Sequence, residues 1–468
     1  MTEPSKSDKD LTGFMPICVM LCIIGWEYTG LAVLSLLAGL FAAATILVFL
    51  TRTSASRMAF AAIAVGLIAW AAATRGDWLF AVGVATQRGA LVVALFTALG
   101  AIRTAAMSSD SILECGRFLA RQRPGLRYAS LTVGGHLFGL ILLYGSISLL
   151  GSLAAESLAR DPDDDIRRIR TRRMMVAIQR GFASTLCWSP LGFSMAITLT
   201  LVPGTGWAQI APACIASALM MLLTGWALDT IMKPRVARPA PARAPQEGRW
   251  LVQLRPLLVL LSVVMSGVLL LHLLTGVEVI GAVMSLVPAV AIGWVALQPR
   301  PDGIGRAAWT GSRIMAFVTQ DLPRYRGELV LLFMAGFIGS LGAFLLVPVL
   351  EARGLDLSAA PTWLVLVALI WVIPLTGQIG MNPILAVSLI VPLLPSAQEM
   401  GIPAVALVAA ITGGWALSGT TSPFTASVLI AAALGRVTPR EAGLGWNGLY
   451  TLVMGTILSL WVLLLAAA

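Results

Sequence analysis

Acidic side chains are nearly missing from the apolar stretches of this sequence. Of 22 Asp and Glu in 468 residues, none falls within the two Ser-Pro stretches or the hairpin tips described below, Glu27, Glu156 and Asp229 coming nearest, which argues against a carboxylate proton relay through a membrane. Histidine is scarcer, with two residues. There is no HExxH, no serine–histidine pairing and no metal-ligand spacing, so no catalytic residue is assigned and an enzyme acting on a lipid-linked substrate is the disfavoured alternative. No cofactor is implied. Of five cysteines, Cys18, Cys22, Cys187 and Cys214 lie in apolar segments and Cys115 in a basic loop, so free thiols are expected rather than a disulfide framework. The first residues are mixed in charge, and no small-residue cleavage site follows them; no removable signal peptide is expected.

What is present is apolar. Hydrophobic residues make up 58% of the chain and charged residues 12%, against about a quarter charged in soluble domains; mean hydropathy is +0.88. The composition predicts an all-α polytopic membrane protein. The net charge of +10 sits in short loops between apolar runs, which marks a cytoplasmic side and argues against nucleic acid as a partner.

Apolar runs near 20 residues fall at 13–28, 31–50, 58–74, 79–101, 181–203, 207–228, 254–276, 277–297, 328–350, 404–434 and 445–467, giving about eleven crossings. Two longer stretches, 128–158 and 362–397, are broken near their middles by Gly, Ser, Tyr and Pro, as re-entrant hairpins are. Basic residues alternate between loops so that the N-terminus is expected inside and the C-terminus outside the cytoplasmic (inner) membrane. Arg88 is the misfit within its span: either the span starts later, or the arginine faces protein. The acid-then-basic run at 160–173 reads as a solvated loop or surface helix. The Pro-, Ala- and Arg-rich linker, 229–253, divides an N-terminal helix (1–30) and a first repeat (31–228) from a second repeat (254–468).

The repeat is visible in residues. Moving GFASTLCWSPLGFS, from Gly181, along the chain onto GWALSGTTSPFTAS, from Gly414, superposes Gly181 on Gly414, Ala183 on Ala416, Ser189 on Ser422, Pro190 on Pro423 and Ser194 on Ser427 without a gap. The hairpins match through Leu-x-Gly-x-Ile, from Leu143 and from Leu375. The loop pattern orients the two copies oppositely, as inverted repeats. Proline removes an amide donor and clashes with the turn before it, so each helix opens at Ser-Pro within the membrane. Freed backbone there is tolerated where it lines a polar cavity or binds something; otherwise the prolines are packing kinks.

In layout the chain resembles the ion transporter superfamily and, within it, the divalent-anion:sodium symporters. The resemblance rests on the eleven spans, the two hairpins and the inside-N, outside-C arrangement. The tip motifs differ from that family's Ser-Asn-Thr: here they read Gly145-Ser146-Ile147-Ser148 and Gly377-Gln378-Ile379-Gly380-Met381-Asn382. The resemblance implies a scaffold and a mobile transport domain moving as an elevator in a homodimer, with a small, carboxylate-like solute as substrate.

The oxygen-rich residues at tips and breaks form the expected solute and ion site: Gly145, Ser146, Ser148, Ser184, Thr185, Ser189, Pro190, Gln378, Asn382, Ser418, Thr420, Thr421, Ser422, Pro423 and Thr425. Sodium needs only such oxygen ligands and is the expected coupling ion; a proton-coupled transporter or exchanger and a passive channel are alternatives. His136, in the first hairpin, either titrates as a proton site or packs as a hydrogen-bonded residue. Arg180 either contacts an anion or snorkels to the cytoplasmic boundary with Arg172 and Arg173. Trp188 and Phe424 beside the breaks either stack on substrate or pack.

Overall fold

In the computed structural model, residues 10–52, 55–158, 164–202, 204–232, 249–353 and 360–467 are described, and every regular element among them is helical. The chain opens with α1 (Phe14–Thr29), α2 (Ala32–Leu50), α3 (Ala55–Thr74) and α4 (Trp78–Met107). There follow α5 (Asp110–Ala120), α6 (Pro124–Leu142), α7 (Gly145–Leu158), α8 (Asp164–Thr185), α9 (Phe193–Leu201) and α10 (Trp207–Ile231). Most of the linker lies outside the described residues. The chain resumes with α11 (Trp250–Gln253), α12 (Arg255–Thr275), α13 (Val279–Leu297), α14 (Arg306–Ala316), α15 (Leu322–Arg324) and α16 (Arg326–Ala352). It ends with α17 (Thr362–Gln378), α18 (Pro383–Ile390), α19 (Ala404–Thr421), α20 (Ala426–Gly435) and α21 (Trp446–Ala467).

Among the described residues, nine helical stretches are long and apolar enough to cross a bilayer. The apolar run at 58–74 appears as a shorter helical stretch, and that at 181–203 is divided between α8 and α9. α8 itself begins at Asp164, so the described part of the acid-then-basic run is helix; Asp164 and Asp165 in its first turn complement the helix dipole. Arg88 is exposed on α4. Residues 88–107 of that helix still span about 30 Å at 1.5 Å per residue, enough to cross after the arginine.

The chain forms two compact units: Met1–Ser108 with Val264–Gly354, and Ser109–Val263 with Leu355–Ala468. Each draws on both sides of the linker. In the first unit α4 is the central helix, buried along Val92–Leu95 and at Ala98, Leu99 and Ile102, and packs against α1, α13 and α16. In the second, α6 lies along α8 and α17 along α19, while α21 packs on α19 and α10.

The two helix pairs of the second unit approach by the same device. A Cβ on Gly181 would fall 2.1 Å from the Thr132 carbonyl oxygen, and one on Gly414 would fall 2.4 Å from that of Leu369. The glycines matched by the sequence repeat are therefore the points where backbones touch. The hairpin turns fall elsewhere than expected. The first turn is Leu143–Tyr144, with Leu143 at φ 51, so Gly145, Ser146 and Ser148 belong to the first turn of α7 and not to the tip. The second runs from Ile379 to Asn382, with Gly380 at φ 95, and Gln378 is the last residue of α17. The Leu-x-Gly-x-Ile match thus pairs residues on opposite sides of a turn. The physical cause is turn length: two linking residues in one hairpin and four in the other.

Candidate functional site: two broken helices

Both breaks follow one hydrogen-bonding plan. At the first, the Ser189 amide donates to the Thr185 carbonyl (2.9 Å), the Gly192 amide to the Ser189 carbonyl (3.0 Å) and the Leu191 amide to Ser189 Oγ (3.2 Å). At the second, Ser422 donates to Ser418 (2.9 Å), Thr425 to Ser422 (3.2 Å) and the Phe424 amide to Ser422 Oγ (3.3 Å). Each residue in the second set is the repeat partner of one in the first. The serines recur because a side-chain oxygen receiving the amide two residues on closes the turn that proline opens. The helices restart in register, at Phe193 and Ala426.

Most carbonyls released at the second break are already paired. Gly419 accepts from Ser427 Oγ (2.5 Å), and the Ser422 carbonyl accepts from Thr425 Oγ1 (2.8 Å). The Thr420 carbonyl accepts from Gln179 Nε2 (3.3 Å) and Asn447 Nδ2 (3.2 Å), and Asn447 Nδ2 also faces Gln179 Oε1 at 3.0 Å. Gln179 and Asn447, both fully buried, were absent from the sequence-derived site. They join α8, α19 and α21 beside the break, and the one signal for them was an amide side chain within an apolar run.

Arg180 does not snorkel. It is 6% exposed, with Nε on Asn447 Oδ1 (2.9 Å), Nη1 on the Tyr128 hydroxyl (3.2 Å), Nη2 on the Trp446 carbonyl (3.5 Å) and its guanidinium 4.2 Å from the centre of the Tyr450 ring. The fork ties its own helix, α8, to α6 and α21, which a flexible boundary arginine would not do. These partners are all neutral, so the positive charge persists within the second unit. Arg173 instead pairs with Asp229 at 2.7 Å.

His136 sits against the first break. Its Nδ1 lies 2.7 Å from Ser184 Oγ, and Trp188 Nε1 donates to its Nε2 at 3.4 Å with the rings stacked, centroids 6.0 Å apart. Ser184 in turn donates to the Gly181 carbonyl (2.7 Å). With Nε2 accepting, the proton is on Nδ1, so the histidine is both packed and hydrogen-bonded. Trp188 is half-buried beside it, whereas Phe424 is 58% exposed.

The other expected site residues divide by what their oxygens do. Thr185, Thr420 and Thr421, all buried, each donate to a carbonyl of their own helix, so each hydroxyl oxygen keeps acceptor capacity. Ser418 Oγ is fully buried with no hydrogen-bond partner and lies 2.7 Å from where a Cβ on Gly377 would stand. Ser146 donates to the Leu143 carbonyl (2.7 Å), Gln378 Nε2 to Pro374 (3.3 Å), and Asn382 Oδ1 caps α18 by accepting from Ile384 (2.9 Å). Pro190 is buried and Pro423 half-buried.

No protein-family model matches the chain, and no curated protein does. Solved structures do. The YdaH transporter of Alcanivorax borkumensis is 17% identical, with a TM-score of 0.54 over 88% of this chain and 97% of that one. MtrF of Neisseria gonorrhoeae, described with a class of antimetabolite efflux pumps, is 14% identical, with a TM-score of 0.55 over 89% and 96%. At these identities the likeness is one of fold: over nearly its whole length, the chain has the multi-pass helical architecture of membrane transporters.

Proposed function

We propose that the protein is a secondary active transporter, moving a small organic and anionic solute across the cytoplasmic membrane by an elevator motion coupled to sodium. The observation that carries this reading is the pair of Ser-Pro breaks, which share the same three hydrogen bonds and lie in one compact unit. Packing alone asks for a kink, not for the same kink twice. In this reading the second unit is the moving transport domain and the first the scaffold of a homodimer. About eleven spans and two re-entrant hairpins form inverted repeats, with the N-terminus inside and the C-terminus outside. The layout is that of the ion transporter superfamily and its divalent-anion:sodium symporters. The solved neighbours, described as a transporter and as one of a class of efflux pumps, support transport of small solutes without fixing its direction.

The oxygens of Ser418, Thr420, Thr421 and Thr185 supply a hard, neutral ligand set for sodium, and the unneutralised Arg180 raises the local potential for an anion. A thermal-stability screen of organic acids, with sodium or with potassium, tests this directly. A stabilising acid whose effect requires sodium supports the reading, and stabilisation indifferent to the cation removes sodium from it.

A proton-coupled form is the second reading, and His136 is what favours it, being a titratable side chain hydrogen-bonded at a break. Under it, His136→Gln abolishes proton-driven uptake. Under the sodium reading, the glutamine variant keeps sodium-driven uptake.

A further inference from the structure

The first unit carries a half-open apolar cavity, apart from the breaks in the second unit. About 300 Å³ in volume, it lies among α1, α4, α13 and α14, with Met20, Ala101, Ala291, Val295 and Phe317 in its walls. Arg313 is the one charged side chain lining it. A space this large and this apolar does not hold ordered water, because water there has too few polar partners. It is the size at which ligand pockets begin.

The helix that supplies Arg313 is prepared for an anion. α14 places Trp309 four residues and Thr310 three residues before Arg313, so that each neighbours it on the helix. Trp309 Nε1 and Thr310 Oγ1 are buried without a hydrogen-bond partner, and the Arg313 guanidinium lies 5.7 Å from the centre of the Trp309 ring. Of these groups the guanidinium is the one that lines the cavity, and its planar fork of donors suits an anion rich in oxygen. Ile314, the next residue, lines the cavity. The same turn therefore offers donors and an apolar entrance side by side.

We infer that this cavity holds one acyl chain of an anionic phospholipid, with the phosphate on Arg313. An acyl chain fills an apolar cavity, and a phosphate pairs with the guanidinium in its wall. The site is independent of the transported solute.

Native mass spectrometry of the detergent-purified protein, titrated with phosphatidylglycerol, phosphatidylcholine of the same chains, or glycerol phosphate alone, tests the assignment. Phosphatidylglycerol should be retained at least several-fold over phosphatidylcholine, and glycerol phosphate should not bind. Arg313→Gln should abolish the preference between headgroups, whereas Ala291→Phe, which fills the cavity, should lower retention of both lipids. Val295→Phe repeats the filling from another turn of α13, and size-exclusion profiles confirm which variants remain folded. Equal retention of the two lipids by the wild-type chain, an undiminished preference in Arg313→Gln, or glycerol phosphate binding as well as the intact lipid would each overturn the proposal.

Discussion

The Ser422 hydroxyl donates to the Gly377 carbonyl across 2.6 Å, tying the second helix break to the last turn of the hairpin arm α17. Its repeat partner, Ser189, shares the turn-closing role but shows no equivalent tie to α6. The two serines should therefore respond differently to removal. Ser189→Ala loses one neutral hydrogen bond, about 0.5–1.5 kcal/mol, whereas Ser422→Ala loses a second of similar worth and leaves the Gly377 carbonyl with only the long 3.4 Å bond from the Gly380 amide. Thermal unfolding in detergent should rank Ser422→Ala below Ser189→Ala, and equal melting temperatures would mean that the tie to Gly377 contributes nothing.

Close backbone contact makes a second expectation. Gly181→Ala and Gly414→Ala each place a methyl group within 2.4 Å of a carbonyl oxygen, so the helices must separate, at a cost of about 1–3 kcal/mol. Gly448, in α21, has open space where its Cβ would be, and Gly448→Ala should be neutral or stabilise by about 0.5–1 kcal/mol. Expression and melting temperature of the three variants check this. A Gly414→Ala protein as stable as Gly448→Ala would contradict the packing described.

Asn447 should matter as much as any residue at the breaks. Asn447→Ala leaves the buried Arg180 Nε–H and Gln179 Oε1 without this partner, while the Thr420 carbonyl keeps its bond from Gln179. Each stranded group costs about 1–3 kcal/mol, more for the charged one. The expected outcome is a large fall in stability, with Arg180→Lys also impaired because an ammonium cannot span Asn447, Tyr128 and Trp446 together. Wild-type stability in both variants would reduce the network to incidental contacts.

These residues also show what the sequence made legible. Ser-Pro, Gly181 and Gly414 were readable because each acts within its own turn or at a helix contact that the repeat copies. Among the described residues, nine of the expected spans were readable from apolar length alone, whereas apolar length did not show that the run at 181–203 is divided between two helices. The hairpin tips were misplaced by a few residues because a Leu-x-Gly-x-Ile match carries no information on turn length, and Leu143 turns the chain at positive φ without a glycine. Arg180 and Asn447 are far apart in the chain, and their pairing depends on how three helices pack; nothing local announces it.

Orientation is checked by labelling. In a background without the five native cysteines, a cysteine at Pro301 should react from the cytoplasmic side only and one at Ala467 from the outside only. Labelling of both from one side would refute the proposed number of crossings.

The central claim is that the Ser-Pro breaks open their helices to carry solute. Proteoliposome uptake of an organic acid selected by the stability screen, under an inward sodium gradient, tests it most directly when wild-type and Pro423→Ala proteins are compared. The alanine restores a helix-competent amide and improves local helix propensity. The account predicts gradient-dependent uptake by the wild type and its loss in Pro423→Ala, with the melting temperature of the variant unchanged or higher. Uptake by Pro423→Ala at the wild-type rate would contradict it, leaving the break as a packing kink.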